Sequence, residues 1–260
     1  MRPTVLAVAL VLCLVLANGC SKDISRATAA TVLSVKGRVV FRNADRNVFE
    51  PVTLKSRIHD GDTVRSANGA SLDLILIPGT LVRLSGDSEI RIEQLSITKD
   101  GNDTGLDMRD RNARILLGRG KIFVLFSPSE TSASQVVIKA GPLMITPDSD
   151  CLFCVGTDGT TTRVTCSKGI INASAEAPSP VTIAAGYFQQ WPTTRTQPGL
   201  ATDDATAQID ITASLEAGGR LQDEMSRLQN RHPLEQSPNI GQRLSEKLEL
   251  CCRSSERFAR

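Results

Sequence analysis

Cysteine is the side chain with the most chemistry to offer in this 260-residue chain, and it occurs at positions 13, 20, 151, 154, 166, 251 and 252. Cys151-x-x-Cys154 followed by Cys166 is a grouping that metal sites and redox centres use. Its setting argues against both. The stretch alternates like a strand pair, and with Asp158-Gly159 as a two-residue turn, residues whose numbers sum to 317 lie opposite each other. Cys151 then faces Cys166. Cys151, Phe153, Val155, Val164 and Cys166 share one apolar face, while Cys154 points away beside Arg163. A tetrahedral zinc site needs converging ligands, which this arrangement splits. A redox Cys-x-x-Cys sits at a helix start rather than on a strand. Two readings stay open for Cys151 and Cys166: a disulfide, or two reduced core thiols. No metal and no cofactor is expected.

Cys20 carries a different chemistry. Arg2 gives a basic start, 5–16 is an unbroken apolar run, and Leu16-Ala17-Asn18-Gly19-Cys20 resembles a bacterial lipobox. Ala17 and Asn18 depart from its commonest form. The run is short for a bilayer span. Residues 1–19 are therefore expected to be a lipoprotein signal peptide, with Cys20 lipidated as the first mature residue. Each buried acyl methylene contributes about 0.8 kcal/mol, so the anchor would hold firmly. Ser21, rather than Asp, favours the outer membrane, facing the periplasm or the cell surface. Five cysteines then remain in an oxidising space. Adjacent Cys251 and Cys252 are better placed to bond another chain than each other.

Catalytic patterns are missing from the sequence: it holds no Gly-x-Ser-x-Gly, Walker A or His-Glu-x-x-His. His59 and His232 sit in different regions, and His59-Asp60-Gly61-Asp62 reads as a surface turn before a strand rather than a calcium loop. A formal charge of +2, from 30 Lys+Arg and 28 Asp+Glu, leaves no basic stripe for nucleic acid. The chain is expected not to be an enzyme. A glycan-acting enzyme using two carboxylates is the remote alternative.

The elements that would position these residues are strands. Short alternating runs at 32–42, 62–65, 72–84, 89–97, 115–126, 135–140 and 151–171 are separated by turn residues. Aromatics make up only 3% of the chain, so the core must be aliphatic. A three-residue loop at Pro78-Gly79-Thr80 sets Leu76 opposite Val82 and Leu74 opposite Leu84; a two-residue loop would set Leu74 against Arg83. One unit recurs: Lys36-Gly37-Arg38-Val39, Arg119-Gly120-Lys121-Ile122 and Lys168-Gly169-Ile170-Ile171. Its glycine is expected at positive φ, at a bend before a new strand. The expected fold is all-β: a twisted stack of antiparallel strands, sandwich-like or solenoid-like, with a short α-helical C-terminal tail.

The order of these pieces resembles the FecR domain, named for the periplasmic part of a regulator of bacterial iron-citrate uptake. The resemblance starts at Val35-Lys36-Gly37-Arg38-Val39 and continues at Gly61-Asp62-Thr63-Val64-Arg65 and Gly69-Ala70-Ser71-Leu72. Pro78-Gly79-Thr80, Leu117-Gly118-Arg119-Gly120-Lys121-Ile122 and Phe153-Cys154-Val155 follow, and then Lys168-Gly169-Ile170-Ile171 and Ile183-Ala184-Ala185-Gly186. It implies a non-catalytic, all-β envelope domain. In signalling members this domain lies behind a cytoplasmic anti-sigma region and one membrane helix. Here it is expected to begin about ten residues after Cys20, without those parts.

The expected order is a tether at 20–29, the β domain at 30–191, a linker at 192–204 and a helical tail at 205–260. Ile211, Leu215, Leu221, Met225 and Leu228 have helical spacing, interrupted by Gly218-Gly219. A second helical stretch carries Ile240, Leu244 and Leu248. The functional expectation is a membrane-anchored binding or assembly module for an envelope protein or polysaccharide. The alternative is a split FecR-type sensor working with a separate membrane regulator.

Overall fold

A computed structural model describes residues 24–99, 108–128, 133–175, 180–193 and 197–231. The signal segment, Cys20, Cys251, Cys252, His232 and the second expected helix lie outside them.

Strands fill the first part of the chain. They are Ile24–Ala27 (β1), Ala30–Lys36 (β2), Val39–Arg42 (β3), Phe49–Pro51 (β4), Arg57–Ile58 (β5) and Thr63–Ser66 (β6). Ser71–Ile77 (β7), Thr80–Leu84 (β8), Glu89–Lys99 (β9) and the 19-residue Met108–Phe126 (β10) follow. Next come Ala133–Ala140 (β11), Leu143–Pro147 (β12), Cys151–Thr157 (β13), Thr162–Lys168 (β14) and Ile170–Ser174 (β15). Val181–Ala184 (β16), Tyr187–Trp191 (β17), Gly199–Leu200 (β18), a 3-10 turn at Ala201–Asp203 and the helix Ala205–Arg231 (α1) complete the described elements.

The ladders form one continuous network in two leaves. The first runs β4, β3, β6, β9, β10, β11, β12, β15, β16, with β1 beside the far end of β9. The second runs β5, β2, β7, β8, β10, β13, β14, β17, β18. Strand β10 belongs to both, its first half to one leaf and its second half to the other. Apolar residues alternate along the strands, so each leaf turns one face inward. Ile90, Ile92 and Ile115 from the first leaf meet Leu72, Leu74, Val124 and Phe153 from the second in a single aliphatic core. One ladder, β10 with β11, is parallel, an addition to the antiparallel expectation. A parallel pair needs a crossover connection, and the second half of β10, spent in the other leaf, supplies it.

The recurring glycines mark where the chain changes leaf. Gly37, Gly120 and Gly169 have φ of 74°, 87° and 81°. Gly37 lies between β2 and β3 and Gly169 between β14 and β15, whereas Gly120 lies inside β10 rather than before a new strand. Each passage brings backbone against the start of another strand. A Cβ on Gly120 would lie 2.5 Å from the Ser88 Cα, and one on Gly169 would lie 2.8 Å from the Cys151 Cβ.

Two registers correct the sequence expectation. In the β7–β8 hairpin Leu74 pairs with Val82 and Leu72 with Leu84, not Leu74 with Leu84. Ile77 pairs with Thr80 across a two-residue turn, and a bulge at Leu76 then shifts the ladder, which buries both Leu76 and Ile77. In the β13–β14 hairpin Val155 pairs with Val164 and Phe153 with Cys166. The loop holds four residues, 158–161, because Asp158 accepts the N–H groups of Thr160 at 2.8 Å and Thr161 at 2.7 Å and bonds both hydroxyls.

Helix α1 runs through Gly218-Gly219 without the expected interruption. A Cβ at Gly218 would lie 2.8 Å from Leu152 Cδ2, so the glycine permits close approach to the sheet. The compact unit that holds both leaves extends past the 192–204 stretch to Gly218, and a second unit starts at Gly219.

We predict that Gly120→Ala lowers the free energy of urea unfolding by about 3 kcal/mol or more, from backbone strain together with overpacking. Gly141, at φ 59° with open space around it, is the control, and Ala there should cost about 1 kcal/mol. Equal losses at the two sites would show that the contact with Ser88 has no energetic weight.

Candidate functional site

The polar groups that gather on the described surface do so where the first part of α1 meets the outer face of the second leaf. Asp204 caps the helix, accepting the Ala207 N–H at 2.8 Å. The same oxygen takes the Arg163 guanidinium at 2.7 Å. Arg163 also donates to Gln190 at 2.8 Å and lies over the Phe188 ring, 5.2 Å from its centre. Nearly two turns further along, Asp210 meets the Lys121 ammonium at 2.5 Å. Asp210 is 3% exposed, so its charge is matched where water barely reaches. These groups border an open groove of about 390 Å³, lined by Lys121, Asp158, Arg163, Gln190 and Asp210 with the backbone of Gly156.

The titrations follow from these contacts. Burial is the largest single influence on Lys121 and works against its charge, but the hydrogen bond to Asp210 together with the nearby Cys154 and Asp210 side chains holds the ammonium above its ordinary 10.5. The Ala207 N–H does most to hold Asp204 below its ordinary 3.8; burial opposes this and Arg163 reinforces it. Asp158 lies well below the carboxylate range because the Thr161 and Thr160 N–H and hydroxyl groups donate to it.

The sequence-level candidates fall elsewhere. Cys151, Cys154 and Cys166 are free, buried thiols. Cys151 and Cys166 lie in the core between the leaves, whereas Cys154 is on the outer face with Phe123 and Ala217. The expected opposition of Cys151 and Cys166 is replaced by Phe153 opposite Cys166, with Cys151 diagonal to it. Diagonal neighbours lie about 7–8 Å apart, beyond the Cα separation a bridge spans without backbone movement. The Cys166 thiol donates to the Lys168 and Gly169 carbonyls, each at 3.4 Å, and burial pushes its pKa to about 11. Burial likewise raises Cys151 and Cys154 far above the usual thiol range. Near His59, Asp62 accepts the N–H groups of Ala44 and His59 at 3.1 and 2.9 Å, and Asp60 accepts that of Leu95 at 2.6 Å. Both aspartates thus hold backbone in place. Among the described residues no three His, Cys, Asp or Glu side chains gather as metal ligands. No described helix is long and apolar enough to cross a membrane.

The ion pairs of α1 were not singled out by sequence. Asp204 just before a helical run is the one local signal that could have found part of them.

Two of the leaf-crossing glycines, Gly120 and Gly169, and Asp62, whose carboxylate holds the chain before β6, lie within one stretch that matches a known family. Residues 62–172 match the FecR protein family. The FecR stretch includes β10 and the β13–β14 hairpin, and it ends before α1. No curated protein matches the chain. Two crystal structures of a candidate anti-sigma factor from Parabacteroides distasonis resemble it, with a TM-score of 0.37 for each and identities of 12% and 11%. The match covers 53% of this chain and 57% of theirs, so this chain spans little more than half the length of those proteins.

Two outcomes are expected here. Because the folded-state pKa of Asp204 is lowered, its stabilisation is present above about 3.8 and is lost as pH falls through the lowered value. The stability gap between the native protein and Asp204→Ala should be about 1 kcal/mol near neutral pH and should close in acid; a gap independent of pH counts against this assignment. Non-reducing peptide mapping after denaturing alkylation should label Cys151, Cys154 and Cys166 alike. A recovered Cys151–Cys166 peptide pair would show that the hairpin accommodates a diagonal bridge.

Proposed function

We propose that this chain is a non-catalytic FecR-type module of the cell envelope, lipid-anchored at Cys20, that acts by binding another envelope protein. The observation that carries this reading is the FecR match over 62–172. The lipobox-like Leu16-Ala17-Asn18-Gly19-Cys20 supports the anchor, and Ser21 supports an outer-membrane address. The described surface supports binding over catalysis: its charged side chains at the α1 contact pair with one another, and Asp60 and Asp62 are engaged by backbone N–H groups. A polysaccharide is the other class of partner.

A second reading makes the chain the envelope half of a split sensor, working with a separate membrane regulator. The family match favours it, since the FecR domain of signalling members relays receptor occupancy. Deleting the gene should then change transcription from a sigma factor encoded nearby, and an unchanged transcript profile removes this reading.

The anchor and the binding role are tested together in intact cells. Native protein should take up labelled fatty acid and cross-link to one envelope component, and that complex should re-form from the purified partners. Cys20→Ala should lose the label and leave the membrane fraction. Undiminished labelling of the variant would exclude lipidation at Cys20, and failure of the purified partners to associate would exclude the binding role.

A further inference from the structure

Helix α1 touches the second leaf through a thin contact. Between Ala205 and Gly218 its buried positions are Ala207, Asp210, Ser214, Ala217 and Gly218, which form one stripe along the helix. Small side chains dominate it. Of the larger apolar residues of this segment, Ile209 is 64% exposed and Leu215 55%, and only Ile211, half-buried, packs against the sheet side beside Phe188 and Ala207. The Ser214 hydroxyl donates to the Asp210 carbonyl of its own helix, so it adds no bond to the sheet. None of these side chains enters the core between the leaves. Ala217 joins Phe123 and Cys154 in one separate cluster, and Ala207 joins Phe188 and Ala201 in another.

We propose that residues 205–218 form a releasable strap, latched by the Lys121–Asp210 pair, that covers an apolar face of the second leaf built from Phe123, Leu152 and Cys154. Three features make it a strap rather than a fixed part of the domain. Its fully buried apolar contacts are small side chains, with the half-buried Ile211 the one large residue beside them. Its latch is the Lys121–Asp210 pair, with Arg163–Asp204 pinning the cap just before the segment; the latch acid is buried and its base 35% exposed on the sheet side, so solvent and competing charge reach it from the groove. Its clusters stand apart from the main core, so lifting it leaves the packing between the leaves unchanged. What it uncovers is a phenylalanine, a leucine and a thiol, each at most 5% exposed beneath it. A face of that kind is suited to protein contact only when open.

Cys154 reports the state of the strap, and Cys151 and Cys166 are internal controls, since they lie on the other face of the same hairpin. The full chain and its Asp210→Asn variant would be treated with N-ethylmaleimide under native conditions, with each cysteine followed by peptide mass spectrometry. Cys154 should label at least tenfold faster in the variant, with Cys151 and Cys166 unchanged. Equal acceleration of all three would mean that the whole domain opens, and no acceleration would mean that the latch holds nothing; either outcome overturns the proposal. Hydrogen exchange of the unsubstituted protein gives a second test. Amides of 205–218 should exchange at least tenfold faster than those of β10 and β13, and exchange at the same rate would make the helix part of the core.

Discussion

Where the chain passes from one leaf to the other, its backbone lies against the first residues of a different strand. At Gly120 that neighbour is Ser88, just before β9, and at Gly169 it is Cys151, at the start of β13. These approaches leave no volume for a Cβ, and the positive φ would strain any other residue. The rest of the architecture follows from that closeness. Leaves joined at such short range need no bulky filler between them. A core of Val, Leu and Ile with very few aromatic rings therefore suffices in a chain that is only 3% aromatic. Ser88 illustrates the fit, since its hydroxyl bonds both the N–H and the carbonyl of Lys121, each within 3.2 Å.

The faces of the strands were legible in the sequence, but their partners were not. Both misjudged hairpins differ from expectation by two residues, an even slip. Because side chains alternate with period two, such a slip preserves the buried face while changing every cross-strand pair. Leu72, Leu74, Val82 and Leu84 are therefore buried as their pattern requires, yet Leu74 meets Val82. Register is set by details that carry little pattern: a bulge at Leu76, and the side chain of Asp158 closing a four-residue loop. The parallel β10–β11 ladder was hidden for another reason. A single run of strand-like residues gives no sign that its two halves serve different leaves.

The helix was legible as a helix and illegible as a contact. Apolar spacing draws attention to Ile211 and Leu215, but Leu215 is exposed and Ile211 only half-buried, while the fully buried positions of this segment are Ala207, Asp210, Ser214, Ala217 and Gly218. A hydrophobic pattern cannot flag a docking face made of small side chains. Nor can it pair Asp210 with Lys121, which is 89 positions away. The candidate site therefore emerges only in three dimensions, whereas the resemblance to the FecR family over 62–172 was already readable from the order of the glycine turns.

Strand β10 also has a mechanical meaning. Its 19 residues carry ladders to β9 and β11 in one leaf and to β8 and β13 in the other, so one segment of backbone is a structural member of both. Tension applied along it is resisted in shear by every one of those ladders at once. Neither leaf can be peeled away while the other stays whole, because each would take half of the same strand with it. A domain tied in this way is expected to lose both leaves together rather than one after the other.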